Sequence, residues 1–290
     1  MNKMDLIAPS HYNLVSEFEK YSTDESRLAL IWESDKGEKK QITYKNLLLR
    51  ANKIANLFTS KGLKKGDVVL IMVPRLIEAY EVYIAALKAG LVVIPSSEML
   101  RAKDIEYRLT HSEAKAIIAF EPFLSQYDDV SNLENKLLFV IGQSQNQWIS
   151  LTDEMEKESE DFSTIETLKD DMAFLSYTSG TTGNPKGVVH THGWAFAHLR
   201  TSAPNWLGIE DGDVVWATAS PGWQKWIWSP FLATLGSGAT GYVYNGKFDA
   251  KVYLRNIQEQ QVNVLCCTPT EYRIMAKVDG LADYNLSSLH

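Results

Sequence analysis

The sequence predicts an α/β fold of layered sheets with covering helices, and three observations carry that prediction. Short β-favouring runs alternate with helix-length amphipathic segments along the chain. Several of those runs, such as Val68–Val73 and Leu91–Ile94, are continuously apolar, as parallel strands buried on both faces are. The 290 residues are 45% hydrophobic and 22% charged, which suits a globular chain with ample material for a core.

Taken in order, Leu28–Trp32 and Lys40–Thr43 flank Asp35-Lys36-Gly37 and read as a hairpin. Thr43 can cap a helix through about Lys61, with Leu47, Leu48, Ile54, Ala55 and Leu57 near helical spacing, and Gly62 ends it. Val68–Val73 is a strand stopped by Pro74; a helix follows over Leu76–Ala89, closed by Gly90. Leu91–Ile94, Ala116–Phe120 and Leu137–Ile141 read as further strands, with a helix over Lys103–His111. One sheet is expected over most of residues 28–142, and a second, begun by residues 172–267, is expected to be incomplete. Asp153–Asp161 holds six carboxylates in nine residues and reads as a solvated linker or exposed helix face. The boundary follows it, giving a first α/β subdomain over 1–165 and part of a second over 166–290. No fixed-period repeat is present.

Charge and cysteine usage exclude several classes. With 29 basic and 36 acidic side chains the formal charge is −7, so no basic surplus exists for nucleic acid. No apolar run is long enough to span a bilayer. Lys3 and Asp5 with no apolar segment give no secretory signal, and the only cysteines, Cys266 and Cys267, are adjacent. A reduced, cytoplasmic setting is expected, with the cysteines as buried small residues at a strand end.

The most informative stretch is Tyr177-Thr178-Ser179-Gly180-Thr181-Thr182-Gly183-Asn184-Pro185-Lys186-Gly187, directly after the apolar strand Met172–Tyr177. Glycines let backbone N–H groups approach an anion, hydroxyls add donors, and a lysine supplies a point charge for phosphate. Pro185 before Lys186 departs from a Walker A loop, and the Gly-x-Gly-x-x-Gly spacing of a dinucleotide fold is missing. Val188 and Val189 continue in β-favouring composition, so this loop joins strand to strand. Six of the eight tryptophans lie between Trp194 and Trp228. Trp226 and Trp228 read as core. His190 and His192, spaced on one strand face, read as structural or pocket-lining, and no metal site is expected.

Tyr177–His190 resembles the signature phosphate loop of the adenylate-forming superfamily: acyl-CoA synthetases, luciferases and peptide-synthetase adenylation domains. Ile42–Leu47 and Leu87–Pro95 also fit that family. Ser220–Ser229 is similar to the acyl-site segment of medium-chain and acetate-type CoA ligases, and Cys267–Arg273 to the segment that follows it. The resemblance runs from about Tyr12 to His290. It implies the amino-terminal region of an AMP-forming acyl-CoA synthetase, acting on a short- or medium-chain carboxylic acid with ATP, Mg²⁺ and CoA. Acyl-AMP and pyrophosphate form first; CoA then displaces AMP. Thr178, Ser179, Gly180, Thr181, Thr182 and Gly183 would hold phosphates with Lys186 as mobile counter-charge, and Thr178 and Lys186 would be the catalytic pair. Trp223, Gly222 and His190 would bind the acyl substrate, Trp223 walling an apolar pocket. The family's adenine motif, its Tyr-Gly-x-Thr-Glu motif, its ribose-binding Asp and its small mobile domain with the catalytic Lys have no counterpart in these residues. The expectation is thus an amino-terminal portion, inactive on its own and binding ATP weakly if at all, with apolar surface left open to homo-oligomer contacts. A carrier-protein-loading adenylation domain and a catalytically silent fragment are the alternatives.

Overall fold

The computed structural model describes residues 3–178 and 183–290. After a one-turn helix α1 (Ser16–Glu19), β1 (Leu28–Ser34) and β2 (Lys39–Thr43) form the expected antiparallel hairpin. The Thr43 hydroxyl accepts from the Asn46 amide at 3.2 Å and starts α2 (Tyr44–Ser60). Next come β3 (Val68–Met72), α3 (Ile77–Lys88), β4 (Val92–Pro95), α4 (Ala102–His111), β5 (Ala116–Phe120) and β6 (Leu137–Ile141). A short β7 (Ile149–Ser150) and α5 (Leu151–Met155) lead to β8 (Met172–Thr178) and β9 (Lys186–Thr191). The chain then forms α6 (His192–Ser202), β10 (Val214–Ala217), a single turn α7 (Gln224–Trp226), and β11 (Thr240–Asn245). It finishes with α8 (Ala250–Glu259), β12 (Val264–Cys266) and α9 (Pro269–Met275).

These strands make a seven-stranded sheet, β7-β6-β5-β3-β4-β8-β9, and a five-stranded one, β12-β10-β11-β1-β2. All neighbours are parallel except the two hairpin partners β2 and β9. The core explains the layering. One face of the larger sheet (Val69, Ile71, Val93, Ile118) shares a cluster with α2, α3 and the Leu30 and Val243 side chains of the smaller sheet. The opposite face, with Leu70, Ile94 and Ile117, packs on Ile105 and Leu109 of α4. Trp216, Tyr242 and Tyr244 on the outer face of the smaller sheet meet α8. Helices α2 and α3 therefore lie between the sheets.

A single sheet over residues 28–142 does not form. β1 pairs in parallel with β11, Leu30 opposite Gly241, and carries β2 into the smaller sheet. The reason lies in α3, which is buried at every residue from Ala79 to Lys88 and so needs cover on both sides. The first hairpin supplies the second cover. In exchange β8 joins the larger sheet beside β4, with Val93 opposite Phe174. Residue 165 divides the chain but not the sheets.

The acidic segment is largely exposed, as expected, and begins on the helix α5, but it does not run free. It is strapped to α2: Lys53 Nζ lies 2.8 Å from Glu156, Arg50 reaches Glu156 at 3.5 Å, and Asn56 donates to the Ser159 and Asp161 carbonyls. Its charges match the basic face of one helix, so the exposed stretch is tied down along α2.

Candidate active site

The β8–β9 hairpin sets the geometry. Thr178 stands opposite Lys186, Ser176 opposite Val188, and Phe174 opposite His190. Period-two alternation puts the side chains of Ser176, Thr178, Lys186, Val188 and His190 on one face. The loop between these strands joins strand to strand, as its composition indicated; Ser179, Gly180, Thr181 and Thr182 lie outside the described residues. Thr178, Gly183 and Lys186 are exposed, and Lys186 makes no ion pair among the described residues.

Below Thr178 opens a cavity of about 510 Å³, bounded by Ser176, Thr178 and His190 of the hairpin and by Gly222, Trp223 and Trp228. Gly222 must be glycine here. Its φ is +94°, and a Cβ would stand 2.5 Å from the Ser96 carbonyl carbon and oxygen. Close backbone contact with the chain after β4 is what brings Trp223 to the mouth. Trp223 is 55% exposed and caps α7 with extended backbone, so it is a wall and not core. It also borders a second cavity of about 510 Å³, lined by Thr218, Lys225, Cys266 and Cys267.

Two residues without an assigned role in the sequence join this cavity. Gln224 accepts from the Ser176 hydroxyl and lies 3.5 Å from His190 Nε2, tying the start of α7 to both hairpin strands. Arg108 of α4 reaches the cavity near Leu100 and Tyr177. Helical spacing would have flagged it, because Arg108 shares a face with Ile105 and Leu109, both buried.

His190 packs edge-on against Trp194, ring centroids 4.5 Å apart, and burial lowers its pKa. Among the described residues its Nδ1 is buried without a partner, as is Trp228 Nε1. His192 departs from expectation. It is the first residue of α6, not a strand residue, and is fully buried, its Nδ1 accepting from the Leu14 amide at 3.2 Å. A structural role follows, and burial pushes its pKa down to about 4. Trp226 is core, stacked on Phe231 and beside Tyr80 and Tyr83. Trp228, read as core, is only half-buried and faces the cavity. Cys266 ends β12 as expected, but both cysteines are only half-buried; burial raises the Cys267 thiol to about 12, leaving it protonated at neutral pH.

Two mixed sheets sandwich α2 and α3, and an aromatic cavity opens at the end of β8, a fold shared with solved acyl-CoA synthetases. The chain belongs to the AMP-binding enzyme family, whose model matches residues 18–290. It is 55% identical to an uncharacterized acyl-CoA ligase of Bacillus subtilis, across all of this chain and 55% of that protein. With the mitochondrial acyl-coenzyme A synthetase ACSM3 of Mus musculus it shares 31% identity over 97% of this chain and 50% of that one. The fold superposes on an acyl-CoA synthetase of Brucella canis with a TM-score of 0.86, at 24% identity, covering 93% of this chain and 50% of that chain. On an anthranilate CoA ligase in complex with anthranoyl-AMP the TM-score is 0.90 at 23% identity, over 100% and 56% of the two chains. The chain thus spans about half the length of the curated relatives it matches. No helix among the described residues is long and apolar enough to cross a membrane.

Proposed function

We propose that this chain supplies the phosphate loop and the acyl cavity of an AMP-forming acyl-CoA ligase. The observation that carries the reading is a shared wall: Thr178, where the loop begins, also lines the aromatic cavity. A carboxylic acid held there would present its oxygen to the α-phosphate of ATP. Acyl-AMP and pyrophosphate form, and the thiol of CoA then takes the acyl group as AMP leaves. Charge is the physical demand, because donors must already stand where phosphate charge develops. Thr178, Ser179, Gly180, Thr181, Thr182 and Gly183 would supply hydroxyl and amide donors, and Lys186 a cation free to follow the phosphates. Magnesium enters this reading as part of the nucleotide substrate, bridging phosphate oxygens. Among the described residues no three His, Cys, Asp or Glu side chains come together to hold a metal ion.

His190, Gly222 and Trp223 would shape the acyl end. A cavity of about 510 Å³ with an indole wall suits a short- or medium-chain acid. A reduced cytoplasmic setting fits the two free cysteines.

The test is acid-dependent exchange of pyrophosphate into ATP by the full-length gene product, run over a series of straight, branched and aromatic acids. Exchange is expected for short and medium chains, with thioester appearing only when CoA is added. Lys186→Ala should slow exchange for every acid alike. Trp223→Ala should move kcat/KM toward longer or branched acids, one methylene being worth about 1–3 kcal/mol in such a pocket. Exchange with no acid in the series would overturn the reading, and acyl transfer to a carrier protein but never to CoA would replace it.

A further inference from the structure

We propose that Arg108 is an oxyanion ligand of this cavity, placed to hold a polyphosphate oxygen at its loop end; the proposal rests on the nucleotide-using reading above. Arg108 is 8% exposed, on the face of α4 that carries Ile105 and Leu109 into the core. Its guanidinium lies 5.2 Å from the centroid of the Tyr177 ring, and Nη1 donates to the Asp104 carbonyl at 2.8 Å. Among the described residues its guanidinium makes no further hydrogen bond and no ion pair with a carboxylate. A buried guanidinium stays charged and is costly to leave unmatched. Its open donors border a cavity, so an anion entering that cavity supplies the missing partner.

Two sources of such an oxygen are conceivable, a polyphosphate and a second carboxylate on the acid. Position favours the polyphosphate. Tyr177 and Thr178 are consecutive on β8 and point to opposite faces. Arg108 sits over Tyr177, while Lys186 stands across from Thr178. Two cations therefore flank the strand end from which the phosphate loop departs. The far end of the cavity, at Trp223 and Trp228, is aromatic and offers a second carboxylate nothing of opposite charge.

The experiment is calorimetric titration with inorganic pyrophosphate and, separately, with succinate and butyrate, on wild type, Arg108→Gln and Arg108→Lys, each with a melting curve. Pyrophosphate should bind wild type, and Arg108→Gln should weaken it about ten- to a hundredfold. Arg108→Lys, which keeps the charge, should recover most of that loss, a rescue that a purely packing role would not show. Should Arg108→Gln melt early, the Lys variant still decides: pyrophosphate affinity near wild type supports the proposal. Equal pyrophosphate affinity in wild type and Arg108→Gln overturns it, as does a loss confined to succinate. Wild type that fails to bind pyrophosphate at millimolar concentration also overturns it. Exchange of pyrophosphate into ATP by the full-length gene product shows separately whether the nucleotide reading stands.

Discussion

Glu81 should make the stability of this chain fall as pH rises through neutrality. It lies on α3 between the two sheets, 1% exposed, with Arg50 Nε of α2 at 2.5 Å from one oxygen and, among the described residues, no partner on the other. Burial pushes its carboxyl up from 4.5 to about 7, against the pull of the Arg50 guanidinium. A carboxyl that holds its proton more tightly in the folded state contributes fully below 4.5, and the contribution is lost as pH climbs through 7. The gap between 4.5 and about 7 corresponds to about 3 kcal/mol, of which about 2–3 kcal/mol falls between pH 5 and pH 9. Glu81→Gln keeps the shape of the protonated side chain and removes the titration. Arg50 retains Glu156 at 3.5 Å. Urea unfolding at pH 5, 7 and 9 is the assay. The variant should gain on wild type by about 2–3 kcal/mol between the ends of that range. Parallel stability profiles for the two proteins would refute the reasoning, because the charged carboxylate would then be no costlier in the fold than in water.

On the acid side, His192 acts in the opposite sense. Its pKa of about 4 against an ordinary 6.5 means stability is lost as pH falls below 6.5, about 2 kcal/mol at pH 5, and His192→Asn should flatten that limb in the same unfolding series. Trp226→Ala should cost about 3–5 kcal/mol by emptying the space against Tyr80, Tyr83 and Phe231. Trp223→Ala, at a half-exposed site, should cost about 1 kcal/mol or less; similar losses of Tm for the two would return Trp223 to the core. Gly222→Ala should lower stability by about 1–3 kcal/mol and displace Trp223, read as quenching or a shift in acid profile, unless the Ser96–Ser97 backbone can move aside.

Most strands were legible because their signal is local. Ala116–Phe120 and Leu137–Ile141 are apolar runs with clear ends, and both form with those limits. Thr43 before an amphipathic run was enough to start α2, since an N-cap hydroxyl acts within one turn. Sheet membership was not legible, because pairing with β11 brings Leu30 to Gly241 across more than half the chain and no local pattern encodes it. His192 escaped for a related reason: Thr191 caps α6, its hydroxyl accepting from the Trp194 amide, and ends β9 one residue sooner than the valine run suggests. Arg108 and Gln224 were hidden by their type. Charged and amide side chains default to the surface; helical spacing alone hinted at Arg108, and nothing local pointed to Gln224.

The exchange of strands between the sheets also explains why the cavity lies where it does. In open parallel sheets, ligands sit beyond the carboxyl ends of the strands. Here β4 and β8 belong to the larger sheet and end at Pro95 and Thr178, while the segment Ser220–Gln224 follows β10 of the smaller one. The two sheets are pinned through the shared helical layer, where Trp226, two residues from Gln224, packs on Tyr80 and Tyr83 of α3. Gly222 is then pressed onto the backbone that leaves β4, and the cavity is closed by chain segments from both sheets. A loosened helical layer should therefore be felt at the cavity before the sheets themselves unfold. Trp226→Phe, which keeps an aromatic ring but leaves space beside Tyr83, is expected to raise the mobility of Trp223 in fluorescence anisotropy decay while far-UV circular dichroism stays unchanged. Anisotropy decay identical to wild type would mean that Gly222 and the Ser96–Ser97 backbone hold the cavity wall without help from the layer behind it.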